Sequence, residues 1–348
     1  MPILQNETPY KRFTRTGWET VMIKYCFFKW YALLIYSIFF FNEAVAFATP
    51  TGKVHVLHAE SLCIPFSHLE KAVEMQHSGL DILLFSGGSL DLIRKMTSNS
   101  QLCDILVSAD YRVIDHIAIP KNADWNIRFA ADKMVLCYSS KSAYAKQINT
   151  DNWPSILLKK EVTWGQTDPL KYALGYQTGM MLQLAETFYA IPQMAEKLIT
   201  KRRSGHEFSK ESDMIEQLQD GKIDYGWEYL SVAIQHGLKH IFLPDQINLG
   251  SDQNNADYFR VLVKVRGKEA SDGLELRGKT ITYGVTVPKN APNREGAIAF
   301  LQCLFNPMGG LGVLEGMGLT PLKPCLIATE EMKSLLPKAL QHRVKVIP

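Results

Sequence analysis

From Lys53 onward the sequence alternates short apolar runs with helical patterns. "VHVLHA" is followed by a helical stretch with Phe66, Leu69 and Val73 on one face, "LDILLF" by "SLDLIRKM", and "CDILVSA" by "DYRVIDHI". Near-continuous apolar strands separated by amphipathic segments predict a parallel sheet covered by helices, an α/β fold. "DWNIRFAADKMVLCYSS" then supplies two extended runs, and the texture changes near Lys141. Beyond it the pattern predicts an apolar helix over residues 175–189 and a helix, strand and helix in "DMIEQLQDGKIDYGWEYLSVAIQHG". A short strand follows in "HIFLP", then "YFRVLVKV" and "GLELRGK" as strand and hairpin turn. "TITYGVTVPKNAPNREGAIAFLQCLF" reads as strand, loop and a helix capped by Asn290 or Asn293. Five glycines between Gly309 and Gly318 predict a short, irregular last helix.

A chain of 348 residues is long enough for two domains. A content of 46% hydrophobic and 21% charged residues rules out disorder. The net charge of +3, with no basic stripe interleaved with aromatics, argues against nucleic acid. The amino end differs from the rest. Lys24 and Lys29 precede the apolar run "YALLIYSIFFF", and "AVAFA" places Ala46 and Ala48 at the small-residue positions of a cleavage site. The run is too short to span a bilayer, which takes ~20 residues. Residues 1–48 are therefore expected to be a secretory signal cleaved after Ala48, with Met22 as the expected start, and the periplasm is the expected compartment. Its removal takes away five Lys/Arg and three Asp/Glu and leaves a net charge of +1.

Five cysteines remain, with no CxxC and no zinc spacing. Cys103 and Cys137 lie in strand-like runs and read as buried packing residues. The histidines are scattered; His236 and His240 would share a helix face, but Gly237 is expected to end that helix, so no zinc pair is expected. No nucleophile elbow, HExxH or paired acids support catalysis.

Ligands of open α/β sheets sit beyond the carboxyl ends of strands. Both "HAESL" and "FSGGSL" stand where a strand ends and a helix begins. Ser61 and Ser89 are placed to donate hydroxyls beside free helical N–H groups, in a field that favours negative charge. Gly87 and Gly88 let backbone approach a ligand without a Cβ. The plainer reading makes both serines ordinary helix N-caps.

Together with "DILVSADYRVID", these motifs resemble the opening of periplasmic tungstate/molybdate-binding proteins of ABC importers. There the first motif usually reads Ala-Gly-Ser-Leu and the second carries Gly-Ser before a basic helix. "GYQTGMMLQLAETFY", "LQDGKIDYGWEYLSVAIQHG" and "ITYGVTVPKNAPNREGAIAFLQCLF" continue the likeness over residues 53–325, and the tungstate-binding subgroup is the better match. The resemblance implies a type II periplasmic binding protein fold: two α/β lobes joined by two crossing strands. Lobe I would comprise residues 52–138 and 280–348, and lobe II residues 139–279, with crossings near residues 134–139 and 280–287. It implies a monomeric receptor that closes on a tetrahedral oxyanion and delivers it to a membrane permease and its ATPase, with no cofactor.

Carried over by the resemblance, Ser61 and Ser89 are oxyanion donors from the first lobe and Tyr229 from the second. Glu211 aligns with a glutamate that approaches the metal of the oxyanion; the plainer reading makes it a helix N-terminal acid. Two positions depart from the family pattern. Tyr172 stands where the family has an aspartate, with Asp168 nearby but shifted and readable as a turn acid. Glu60 replaces the glycine of the first motif, where a carboxylate is costly unless it faces solvent or pairs with Arg94 or Lys95. Both departures leave open a changed ligand: sulfate, phosphate, a phosphonate or an organic acid. An exported enzyme is the remaining alternative.

Overall fold

The computed structural model describes residues 49–202, 206–267 and 273–347; the expected signal sequence and the start at Met22 lie outside them. Its strands, in chain order, are β1 (Gly52–Ala59), β2 (Leu80–Gly87), β3 (Ile105–Ser108), β4 (Ile127–Ala131), β5 (Met134–Tyr138), β6 (Trp164–Thr167) and β7 (Glu207–Phe208). They continue with β8 (Tyr225–Tyr229), β9 (Lys239–Phe242), β10 (Leu262–Arg266), β11 (Gly273–Arg277), β12 (Thr282–Thr286), β13 (Thr320–Ile327) and β14 (Val344–Val346).

These strands form two main sheets. The first runs β14-β13-β4-β12-β3-β1-β2 and the second β7-β6-β8-β5-β9; β10 and β11 make a separate hairpin. β1 pairs in parallel with both β2 and β3, as the apolar alternation predicts. The expectation of a wholly parallel sheet holds only for that half. β12 is antiparallel to both β3 and β4, because the chain re-enters this sheet from the second one and runs the other way. In the second sheet β6 is parallel to β7 and β8, and β5 is antiparallel to β8 and β9.

Local chemistry explains the main elements. β1 is buried along most of its length, as expected of a strand covered on both faces. The helix Cys63–Gln76 buries Pro65, Phe66, Leu69 and Val73, one face at i, i+3, i+4 spacing, against the first sheet. The helix Arg294–Leu304 begins at Asn293, whose side chain accepts from the Gly296 amide at 2.9 Å; Asn290 does not cap it. The glycine-rich segment forms only the short helix Gly310–Gly316. Cys103 and Cys137 are buried free thiols. No helix among the described residues is long and apolar enough to cross a membrane.

The chain passes from the first sheet to the second at Asp132–Lys133, between β4 and β5. Met134–Tyr138, within the run expected to cross, belongs to the second sheet. It returns where the Ile281 amide donates to the Leu249 carbonyl (2.8 Å) and β12 begins. The Asp132 amide donates to the Ile281 carbonyl at 3.2 Å, so the two connections touch.

Candidate functional site

The carboxyl ends of β1, β2 and β3 are marked by Ala59, Gly87 and Ala109, and all three line one small cavity between the sheets. Tyr229, the last residue of β8, faces it from the other lobe. The cavity is small, with room for little more than one water molecule, and Glu60, Ser61, Ser89, Tyr172 and Glu211 complete much of its wall. Ser61, Ser89, Glu211 and Tyr229, expected from sequence to touch the oxyanion, and Tyr172, which stands at the family's aspartate position, therefore line one cavity. A larger open cleft lies beside Tyr111, Arg128 and Lys279 and contains none of them.

Neither serine is an N-cap. The helix Ser89–Thr97 is capped by Gly88 in extended conformation, without a side-chain bond, and Ser89 is its first helical residue. Ser89 Oγ accepts from the Ala109 amide at 3.0 Å, which leaves its own proton for another acceptor. Ser61 sits in the 3₁₀ turn Glu60–Leu62 and its Oγ lies 2.9 Å from the Tyr283 hydroxyl. Both serines are nearly inaccessible, at 3% and 2% exposure, so each hydroxyl is spent inside the protein or on the cavity.

Of the two glycines of "FSGGS", Gly88 meets the opposite lobe instead of the cavity. Gly88 has φ −70°, which any residue adopts, but a Cβ there would lie 2.3 Å from the Lys171 carbonyl oxygen in the opposite lobe. The adjacent amide of Leu90 donates to that same carbonyl at 3.0 Å. Gly88 is a point of lobe-to-lobe backbone contact, and Gly87, not Gly88, lines the cavity.

The second lobe adds a feature that sequence reading missed. The sixteen-residue helix Ala173–Phe188 begins at the cavity wall, with Ala173 and Leu174 lining it. Its first-turn amides have no helical acceptor, and the helix dipole places partial positive charge there. The apolar run predicted the helix from residue 175, two residues late, because Tyr172-Ala-Leu carries no capping signal. Tyr283 was also missed; it belongs to β12, remote in sequence from the motifs, and nothing near it signals a site.

Glu60 is half-buried and pairs with neither Arg94 nor Lys95. Arg94 reaches the Leu170 carbonyl, and Lys95 pairs with Asp91 at 2.9 Å. Instead Glu60 Oε2 lies 2.8 Å from the Tyr172 hydroxyl and accepts from the Glu211 amide at 3.1 Å, while Oε1 accepts from the Ser212 amide at 3.1 Å. The two departures from the family pattern thus contact one another. Asp168 is no part of the cavity. It accepts from the Leu170 amide at 2.8 Å and pairs with Lys171 at 3.3 Å, a turn acid.

The cavity wall contains two carboxyl groups and no lysine or arginine. Burial, followed by the nearby charges of Glu60 and Asp132, pushes the Glu211 carboxyl well above the usual range. This favours the protonated acid, which donates a hydrogen bond. Burial first, and Glu60 next, raise the Tyr172 phenol, so it stays a neutral donor. The Tyr229 hydroxyl donates to Gln177 Oε1 at 2.6 Å, away from the cavity. Among the described residues no group of three or more His, Cys, Asp or Glu is arranged to hold a metal cation. The wall thus offers neutral O–H and N–H donors, a chemistry suited to replacing the hydration of a small anion.

Two α/β lobes with a polar cavity at the carboxyl ends of their strands define the type II periplasmic binding fold. Solved structures share it. A periplasmic molybdate-binding protein of Azotobacter vinelandii superposes with a TM-score of 0.54 at 16% identity, over 77% of this chain and 98% of that one. The sulfate-binding protein SubI of Mycobacterium tuberculosis gives 0.55 at 13% identity, over 78% and 88%. Residues 54–310 match the family described as bacterial extracellular solute-binding protein, and the chain belongs to that family. A solute-binding protein of Petrotoga mobilis is 37% identical over 287 residues, 82% of this chain and 89% of its own. The molybdate/tungstate-binding protein WtpA of Pyrococcus abyssi is 34% identical over 285 residues, 74% of this chain and 82% of its own. The protein is a solute-binding protein.

Proposed function

We propose that the protein captures a tetrahedral oxyanion, tungstate or molybdate, between its lobes and hands it to a membrane permease driven by an ATPase. The carrying observation is the convergence of Ser61, Ser89, Glu211 and the start of the Ala173–Phe188 helix on one small cavity lined by donors. Ser89 Oγ–H, the first-turn amides and the protonated Glu211 are the donors nearest to hand. Tyr229 joins them when Gln177 presents its amide nitrogen instead of its oxygen. Tyr172 closes one wall, and Glu60 and Gly88 set the approach of the lobes.

By the family resemblance, Glu211, on the cavity wall, is the carboxyl expected to approach the metal of the oxyanion. The name of the Pyrococcus abyssi relative supports this choice, whereas the fold alone does not, since a sulfate-binding protein shares it. We place one lobe at residues 52–132 with 280–348 and the other at 133–279, which moves the expected first boundary from residue 138 to the change of sheet at Asp132–Lys133. Export through residues 1–48 to the periplasm, as a monomer, completes the proposal.

Competitive calorimetry across tungstate, molybdate, sulfate and phosphate tests it. Saturable binding of tungstate or molybdate in preference to sulfate and phosphate is expected. Binding of sulfate or phosphate in preference to both metal oxyanions would contradict the ligand assignment.

A further inference from the structure

The helix Glu211–Asp220 has no side-chain cap of its own: Lys210 occupies the N-cap position and makes no capping bond. Its first two amides, those of Glu211 and Ser212, are instead taken by Glu60, which belongs to the turn after β1 in the other lobe. Each carboxylate oxygen receives one amide, and Oε2 also lies 2.8 Å from the Tyr172 hydroxyl, whose single proton is shared with the Ser209 carbonyl at 2.9 Å. Positive partial charge at the helix start and a carboxylate are a favourable pair, and hydrogen bonds to a charged group are the stronger kind.

We propose that Glu60 and Tyr172 form a clasp across the cleft, which holds the lobes together through protein groups alone and gates entry to the cavity. This rests on the reading of the cavity as the solute site, and it deepens it. The clasp explains why a carboxylate is tolerated at the wall of an anion cavity: its charge is committed to the helix amides. The same bonds withhold those amides from the solute, which must find its donors elsewhere on the wall, among Ser61, Ser89, Glu211, Tyr229 and the Ala173–Phe188 helix start. A solute enters only after the Glu60 contacts part, so the clasp sets the rate of entry as well as the compactness of the protein.

The test measures the protein with no oxyanion in solution. Small-angle scattering on the wild type, E60A and Y172F reads the balance of closed and open lobes directly. Losing hydrogen bonds to the carboxylate is expected to shift that balance toward open by about tenfold in E60A, seen as a larger radius of gyration, with a smaller shift in Y172F. The double variant E60A/Y172F is expected to open no further than E60A, because both residues act through one contact. Circular dichroism confirms that each variant is folded; should E60A fail to fold, Y172F and E60Q carry the comparison. A wild type as expanded as the variants, or variants as compact as the wild type, overturns the clasp. Since no anion is present, that result leaves the oxyanion reading untouched, and a protein that binds no oxyanion leaves the scattering result untouched.

Discussion

The Leu90 amide donates to the carbonyl of Lys171 at 3.0 Å, a backbone hydrogen bond that crosses from one lobe to the other. It forms because residue 88 has no Cβ: one placed there would sit 2.3 Å from that carbonyl oxygen and 3.0 Å from the Tyr172 ring. The carbonyl is backbone and cannot swing aside. Gly88→Ala is therefore expected to keep both lobes folded and to prevent their full approach, weakening oxyanion affinity about tenfold or more. Calorimetry with molybdate, beside a circular dichroism spectrum matching the wild type, checks this.

The serines separate affinity from stability. Ser89→Ala removes a donor to the cavity and also strands the Ala109 amide, whose acceptor at 3.0 Å is Ser89 Oγ. Ser61→Ala strands the Tyr283 hydroxyl in the same way. Each is expected to weaken oxyanion binding by about 1–3 kcal/mol and to lower the unfolding free energy by about 1 kcal/mol or more. Titration with tungstate and urea unfolding without it measure the two losses separately.

A second interlobe bond lies deeper. The Tyr176 hydroxyl donates to Asp110 Oδ2 at 2.9 Å, and Arg112 pairs with the same carboxylate at 2.7 Å. Burial works against the charge on Asp110, but the guanidinium of Arg112, with its hydrogen bonds and that of Tyr176, overcomes it and holds the carboxyl below its usual range. Tyr176→Phe is expected to cost about 1.5–3 kcal/mol. Asp110→Asn is expected to cost more, about 3–5 kcal/mol, because it leaves a largely buried Arg112 uncompensated. Urea unfolding of the two variants ranks them.

At the first crossing, Asp132 titrates in the opposite sense. Burial raises its carboxyl to about 7, against the opposing hydrogen bonds from Ser231 and Lys133. The folded protein therefore holds this proton more tightly than the unfolded chain, whose carboxyl titrates near 3.8. Its contribution is fully present below about pH 4 and is lost as pH rises toward 7, a change on the order of 4 kcal/mol. Asp132→Asn is expected to flatten stability between pH 4 and 7 without abolishing the slope, because burial raises Glu211 and Glu228 in the same direction. Unfolding curves at several pH values across that range check the difference.

Much of this arrangement is legible in the sequence where local chemistry is decisive. Strand-end motifs such as "HAESL" and "FSGGSL" placed Ser61 and Ser89 at one cavity because an open α/β sheet gathers the carboxyl ends of its strands. Glu211 and Tyr229 were reached through the family resemblance, not through any local pattern. What escaped were relations between distant segments. Tyr283 lies 222 positions from Ser61, and the close approach at Gly88 depends on a carbonyl in the other lobe. Glu60 is the sharpest case. Its charge suggested a local lysine or arginine partner, but its actual partners are neutral donors 112 to 152 positions away. The direction of β12 was likewise invisible, because apolar alternation marks a strand and not the path by which the chain returns to the sheet.

The most direct measurement is the position of tungsten in crystals grown with tungstate, located by its anomalous scattering. The account predicts one strong site inside the cavity, within hydrogen-bonding reach of Ser61 and Ser89 through its oxygens and facing Glu211. A heavy atom bound only elsewhere, or a cavity without tungsten at saturating tungstate, would contradict it.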